Sequence, residues 1–281
     1  SRAAHCKPGL FLAGMTVTWL AFGLLPSHAQ SQRKTPPRPS APLEKEDPLA
    51  PLLQQSKDAI DKMDFAAALE PLQKYISQRP DDPYAHFQLG YSYVGLKRPQ
   101  EAKSEFSRAI ALDPKMAAAH LNLGLVLMDG EPGAAAESFR HAAELQPAES
   151  RPRFLGGYSL EQTGKLTEAV EQYHAALAIS PKDYEVHFAL GRVLLRTGDA
   201  AGAEGQFREA VTARGDSAPA RLGLANALLA QKKYEAASNA FDEYLKLTPD
   251  ERSAHFDRAS ALVELDRFEE RDSSGPAAAQ K

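Results

Sequence analysis

Apolar residues along most of this chain recur at intervals of three and four, the spacing that gathers them on one side of a helix. Tyr84 to Leu96 and Pro99 to Leu112 are two such stretches in succession. Turn formers such as Gly164-Lys165 and Gly198-Asp199 separate the members of each pair. Prolines close the pairs at Pro80, Pro114, Pro147, Pro181 and Pro249, with Gly215 standing in once. A proline drives the residue before it out of the α region, so it ends the second helix. The predicted unit is therefore a helix, a tight turn and a second helix, and the predicted fold class is all-α.

The units share more than periodicity. Aligned on Leu89-Gly90, Leu123-Gly124, Gly156-Gly157, Leu190-Gly191, Leu224-Ala225 and Arg258-Ala259, the second residues lie 34, 33, 34, 34 and 34 apart. Twelve positions further on stands an alanine: Ala102, Ala169, Ala203 and Ala237, with Ala135 fitting after a one-residue deletion near Gly133. Four beyond that is an aromatic: Phe106, Phe139, Tyr173, Phe207 and Phe241. A weaker first unit, 49–82, has Ala68 and Leu72 in these slots. Glycine inside a helix costs about 1 kcal/mol relative to alanine. Its recurrence predicts close approach of the first helix to the second. Ala102, Ala135, Ala169 and Ala203 are expected as the facing small residues. Aromatics such as Phe106 and Phe207 are expected to fill a wedge against the following unit.

The Leu-Gly pair, the alanine, the aromatic and the closing proline together resemble tetratricopeptide repeats over residues 49 to about 270. The resemblance implies a right-handed α-solenoid of stacked helix-turn-helix units, about six full repeats and a partial seventh. This sequence departs from the family in two ways. The usual Trp slot holds His86, His120, Arg153, His187, Arg221 and His255, and the seventh unit loses its pattern after Phe268. Residues 271–281, with Ser273-Ser274-Gly275-Pro276, are expected to be a disordered tail. That leaves two possibilities: one helix closes the solenoid, or the chain is truncated.

The residues before the repeats follow a different grammar. Arg2, His5 and Lys7 precede an uncharged apolar run, Leu10 to Leu25, and then Pro26 and Ser27-His28-Ala29. That order matches a secretory leader over residues 1–29. A retained membrane anchor is the alternative, although 16 apolar residues fall short of the about 20 that a span takes. Residues 30–48 contain Pro36, Pro37, Pro39, Pro42 and Pro48 and are expected to form a disordered linker. The implied location is periplasmic or secreted, or membrane-anchored and facing away from the cytoplasm.

Composition narrows the chemistry. Net charge is −4 and lysine and arginine form no block, which argues against nucleic acid as a partner. Cys6 is the single cysteine, so no disulfide framework or thiolate zinc site is available. The four histidines of the Trp slot recur once per unit, about 10 Å apart at the spacing of packed helices, too far for one metal ion. They are expected to be packing residues. Gly164-Lys165 lacks the spacing of a phosphate loop, and Glu101, Glu137 and Glu168 sit where they favour helix dipoles. No catalytic residues, cofactor or metal site are expected.

What the resemblance implies is a non-catalytic scaffold that binds a protein or peptide on a concave face lined by first helices. The residues expected to line this groove are Tyr84, Gln88, Tyr91, Asn122, Leu125, Arg151, Tyr158, Arg192, Arg196 and Asn226. A Lys/Asn clamp for a terminal carboxylate, used by some members, is incomplete here. Its slots hold Phe87, Tyr91, Asn122, Arg151 and Leu155. The mix points to a hydrophobic or aromatic-bearing ligand with some negative charge. Two alternatives remain: a structural subunit of an envelope assembly such as pilus, outer-membrane or secretion machinery, and the N-terminal fragment of a longer enzyme.

Overall fold

A computed structural model describes the backbone of residues 47–273 and the side chains of residues 47–266. The leader assigned to 1–29, nearly all of the linker and the tail beyond Ser273 lie outside the described residues. Within them the chain forms thirteen helices and no strand. In order they are α1 (Ala50–Asp61), α2 (Phe65–Gln78), α3 (Pro83–Gly95), α4 (Pro99–Leu112), α5 (Ala117–Leu127), α6 (Pro132–Leu145) and α7 (Ser150–Gln162). Then follow α8 (Leu166–Ile179), α9 (Tyr184–Thr197), α10 (Ala200–Ala213), α11 (Ala218–Ala230), α12 (Tyr234–Leu245) and α13 (Arg252–Ser273). The helices belong to one compact unit.

Local chemistry sets the helix ends. Asp64, Asp82, Asp183, Asp199 and Ser217 cap α2, α3, α9, α10 and α11 by accepting hydrogen bonds from first-turn amides. Pro83, Pro99 and Pro132 occupy first helical positions, where the missing N–H costs nothing. The turn inside each pair needs one residue in the left-handed region. It is Met63 (φ 59°), Lys97 (59°), Gly164 (80°), Gly198 (88°) and Lys232 (61°) in five of the units. The third unit lacks it. There α5 ends at Leu127 and Met128–Glu131 lead to Pro132, so the deletion lies in this turn, just before the expected neighbourhood of Gly133.

Each unit packs around its aromatic. Phe106, Phe139, Tyr173, Phe207 and Phe241 are buried, as are Ala102, Ala135, Ala169, Ala203 and Ala237. A Cβ added to Gly90 would sit 2.8 Å from the Phe106 ring, one on Gly124 2.6 Å from Phe139, and one on Gly157 2.7 Å from Tyr173. The close approach predicted from the glycines is present. The aromatic ring of the same unit fills most of the space, and at Gly157 the facing Ala169 also contributes, through its carbonyl oxygen at 3.2 Å. The wedge against the following unit also forms, since Phe207 lies under both Gly191 and Gly223. Phe87, Phe154 and Phe188 on first helices lean on Phe106, Tyr173 and Phe207 at ring separations of 5.8, 6.0 and 6.0 Å.

Every helix packs on its neighbours in sequence, and first helices of consecutive units also touch directly: α3 with α5, α7 with α9, α9 with α11. Among the described residues, no two second helices meet to that extent. The stack therefore curves toward its first helices, and their shared face is the inner one. The last helix runs to Ser273, three residues past the predicted boundary. Glu269, Glu270 and Arg271 are good helix formers, and the breaking signal, Gly275-Pro276, comes later.

Candidate functional site

The histidines of the Trp slot are joints between units. In α3, α5, α9 and α13 the Nε2 of His86, His120, His187 and His255 lies 3.0, 3.0, 2.9 and 2.8 Å from the carbonyl oxygen of Pro80, Pro114, Pro181 and Pro249. Arg221 of α11 donates in the same way to the carbonyl of Gly215, through Nε at 3.1 Å and Nη2 at 2.8 Å. These prolines lie in the linker beyond the end of the second helix, and the side chain six residues on, in the next unit's first helix, satisfies their carbonyls. The second ring nitrogen is used as well. His86 Nδ1 lies 2.6 Å from Glu105, and His187 Nδ1 lies 2.8 Å from Gln206. Among the described residues, no group of three or more His, Cys, Asp or Glu is arranged to hold a metal.

The ten side chains expected to line a groove all lie on first helices, and they differ in how far they are open. Tyr84 is open, at 46% exposure. Gln88 corrects the expectation. It is 6% exposed, because it faces the neighbouring first helix, where Ser56 Oγ donates to its Oε1 at 3.4 Å. Tyr91 is half-buried, edge-on to Phe65 of α2. Asn122 is half-buried and donates from Nδ2 to the Ala118 carbonyl of its own helix. Leu125 is half-buried against the Phe139 cluster. Arg151 is exposed, and Tyr158 and Asn226 are half-buried.

Arg192 and Arg196 converge on a residue absent from the expected set, Glu161. Its carboxylate is on α7 and theirs are successive turns of α9. Arg192 Nη2 donates to Oε2 at 2.7 Å and Arg196 Nη1 to Oε1 at 2.8 Å. The Glu161 side chain is 5% exposed, whereas the arginines are 44% and 50% exposed. Beneath them the Tyr173 hydroxyl lies 3.4 Å from Oε2. Burial, and then the Glu161 charge, push its pKa far up, so the phenol stays protonated. Glu161 had a sequence signal. In its column, four residues past the packing glycine, other units hold Val94, Met128, Leu195 and Leu229. A carboxylate in an apolar column needs partners, and the next unit supplies two.

The first helices thus differ in chemistry along the stack. Helices α3 and α5 carry Tyr84, Tyr91, Val94 and Leu125, while α7 and α9 hold the Glu161–Arg192–Arg196 cluster. Surface depressions of about 600 and 580 Å³ occur elsewhere, at Gln78–Pro83 and along Asn239–Lys246.

Comparison with known proteins agrees with the repeat geometry. Two family models, both described as tetratricopeptide repeat, match residues 53–102, 87–150 and 154–219 in one case and 195–259 in the other. No individual curated protein shows significant similarity to the chain. Among solved structures, YrrB, described as a TPR protein with an unusual peptide-binding site, is 20% identical with a TM-score of 0.61, covering 67% of this chain and 98% of that one. The C-terminal part of a TPR repeat-containing protein from Cytophaga hutchinsonii is 16% identical with a TM-score of 0.62, covering 74% and 84%. MamA is 21% identical with a TM-score of 0.57, covering 59% and 92%. These similarities are at the level of fold. With the family models running from α1 into the start of α13, over well more than half of the chain, and the repeated glycine, alanine and aromatic positions packed together in successive units, the chain belongs to the tetratricopeptide repeat family.

Proposed function

We propose that this protein is a non-catalytic scaffold that binds a peptide or protein segment along the inner face formed by its first helices. One observation carries this reading. The solenoid uses its Trp-slot histidines, the glycines of the Leu-Gly slot and its second-helix aromatics in packing, yet leaves Tyr84, Val94, Arg192 and Arg196 substantially exposed on its first helices. Aromatic and arginine side chains are the types enriched where binding energy concentrates. The peptide-binding site named for YrrB supports the same role for this chain. We further propose that residues 1–29 carry the chain out of the cytoplasm and that the scaffold works there.

A photo-crosslinking residue placed at Tyr84 or Leu125 tests the face, with Glu171, exposed on second helix α8, as the control position. Cross-linked partners are expected from the first two positions and not from the third. Adducts from Glu171 alone would move the binding surface to the outside of the curve. A mature N-terminus following Ala29, read by mass spectrometry of the exported protein, tests the leader. A full-length N-terminus on a membrane-bound protein would replace it with an anchor.

A further inference from the structure

We propose that Arg192 and Arg196, positioned on the buried carboxylate of Glu161, form a subsite for a carboxylate of the bound peptide. The inference rests on the inner-face reading and adds the chemistry of the ligand.

The hydrogen-bond inventory leaves capacity. Each oxygen of Glu161 takes one guanidinium nitrogen, from Arg192 at 2.7 Å and from Arg196 at 2.8 Å. A guanidinium has five N–H donors in a rigid fork, and the solvent-facing halves of both side chains remain about half exposed. The charge balance leaves capacity as well. Two cations face one anion, and the Tyr173 phenol is kept neutral. A brace between α7 and α9 needs one arginine; the second leaves a net positive charge on the surface.

The cluster is also local. In the Arg192 column the other units hold Tyr91, Leu125, Tyr158 and Asn226, and in the Arg196 column Gly95, Asp129, Gln162 and Ala230. In these two columns, across units two to six, positive charge therefore marks one place. Glu161 acts as a positioning residue, because it ties both forks, one turn apart on α9, to a single buried carboxylate. Bidentate arginine–carboxylate pairs are among the stronger hydrogen bonds and carry geometric selectivity.

Register follows from the stacking. Units are spaced by about 10 Å, and an extended peptide rises about 3.3 Å per residue. The aromatic half, at units two and three, and the cationic cluster, at units four and five, are two to three units apart. A matching ligand has an apolar or aromatic anchor and a carboxylate roughly six to nine residues from it.

Fluorescence anisotropy tests this with the intact protein and labelled peptides that carry an aromatic residue and, at that separation, either glutamate or glutamine. Each peptide is made with free and with amidated C-termini. The glutamate form is expected to bind about tenfold more tightly at low salt, with the difference shrinking as salt rises. The triple change Glu161→Gln, Arg192→Gln and Arg196→Gln removes all three charges together and strands none. It is expected to abolish the preference while retaining binding of the glutamine form. A preference that follows the free terminus rather than glutamate assigns the subsite to a chain end. Equal binding of both forms to the unaltered protein overturns the subsite and leaves the inner-face reading intact. Failure of every peptide to bind overturns both.

Discussion

Gly157 sits where a methyl group does not fit. An added Cβ would lie 2.7 Å from the Tyr173 ring and 3.2 Å from the Ala169 carbonyl oxygen, and that backbone atom has no rotamer to yield. Two effects of Gly157→Ala oppose each other. Helix propensity favours alanine by about 1 kcal/mol. Overpacking a filled core costs about 1–3 kcal/mol. Contact on two sides decides for the second, so the variant is expected to lower the urea midpoint. Gly205 provides the contrast. It lies on the exposed side of α10, and an added Cβ meets nothing within 4 Å. Gly205→Ala is expected to gain about 1 kcal/mol, since only the propensity effect acts. Equal responses at both sites would refute the packing assignment. Sequence alone located the slot, because glycine inside an apolar helical period has a cost that must be offset. It named the alanines as the facing residues and assigned the aromatics to the wedge, because spacing along the chain does not show that one ring reaches both the glycine of its own unit and the next unit.

At the scale of helix pairs, polar joints carry a pH signature. Glu204 of α10 is depressed to about 2, mainly by the Lys233 ammonium, which donates at 2.7 Å, and then by Arg208 and Gln231. A depressed carboxylate stabilises the fold above its unfolded value, near 4.5, and that contribution is lost as pH falls through about 2. His120 acts in a higher range. Burial lowers its pKa, and the neighbouring His141 ring, 5.2 Å away with Arg140 and Glu144 beside it, lowers it further. The fold therefore prefers the neutral ring. Stability is full above the unfolded value of 6.5 and declines as pH drops below it. His120→Gln keeps a donor for the Pro114 carbonyl and removes the titration. Its thermal midpoint is expected to vary less between pH 7 and pH 5 than that of the parent. An unchanged slope would show that His120 does not set it. The histidine column was visible in the sequence, and its packing role follows from once-per-unit spacing. The carbonyl that it satisfies depends on how one unit's closing proline meets the next unit's first helix, a contact between units that spacing alone does not specify.

At the scale of the whole stack, the same limit explains what the ten expected groove residues did and did not disclose. A column assigns a face, so the exposed Tyr84, Arg192 and Arg196 were legible. Whether a given member is free depends on the neighbouring unit's column. Ser56 removed Gln88 from the face, and Glu161 organised the arginines. In a solenoid each unit leans only on its neighbours, so stability is distributed nearly in one dimension. Helix α13 packs on α12 through Ala254 and Ala261, while Phe256 is 72% and Val263 49% exposed. Phe87, Phe154 and Phe188, which occupy the Phe256 column in earlier units, each lean on a second-helix aromatic. Within the described residues α13 thus leaves large apolar side chains open, Phe256, Leu262 and Val263, whereas α7 and α9, joined by Glu161, leave none so exposed. Local opening free energy tracks such burial. Native-state hydrogen exchange of the full chain is expected to show α13 amides exchanging through a small opening, well before those of α7 and α9, with protection roughly a hundredfold lower, equivalent to about 2–3 kcal/mol. The triple glutamine variant, which cuts the brace between α7 and α9, should lower protection in those two helices and leave α13 unchanged. If α13 is as well protected as α9, or if protection falls everywhere together, the stack behaves as one cooperative block and the neighbour-by-neighbour description fails.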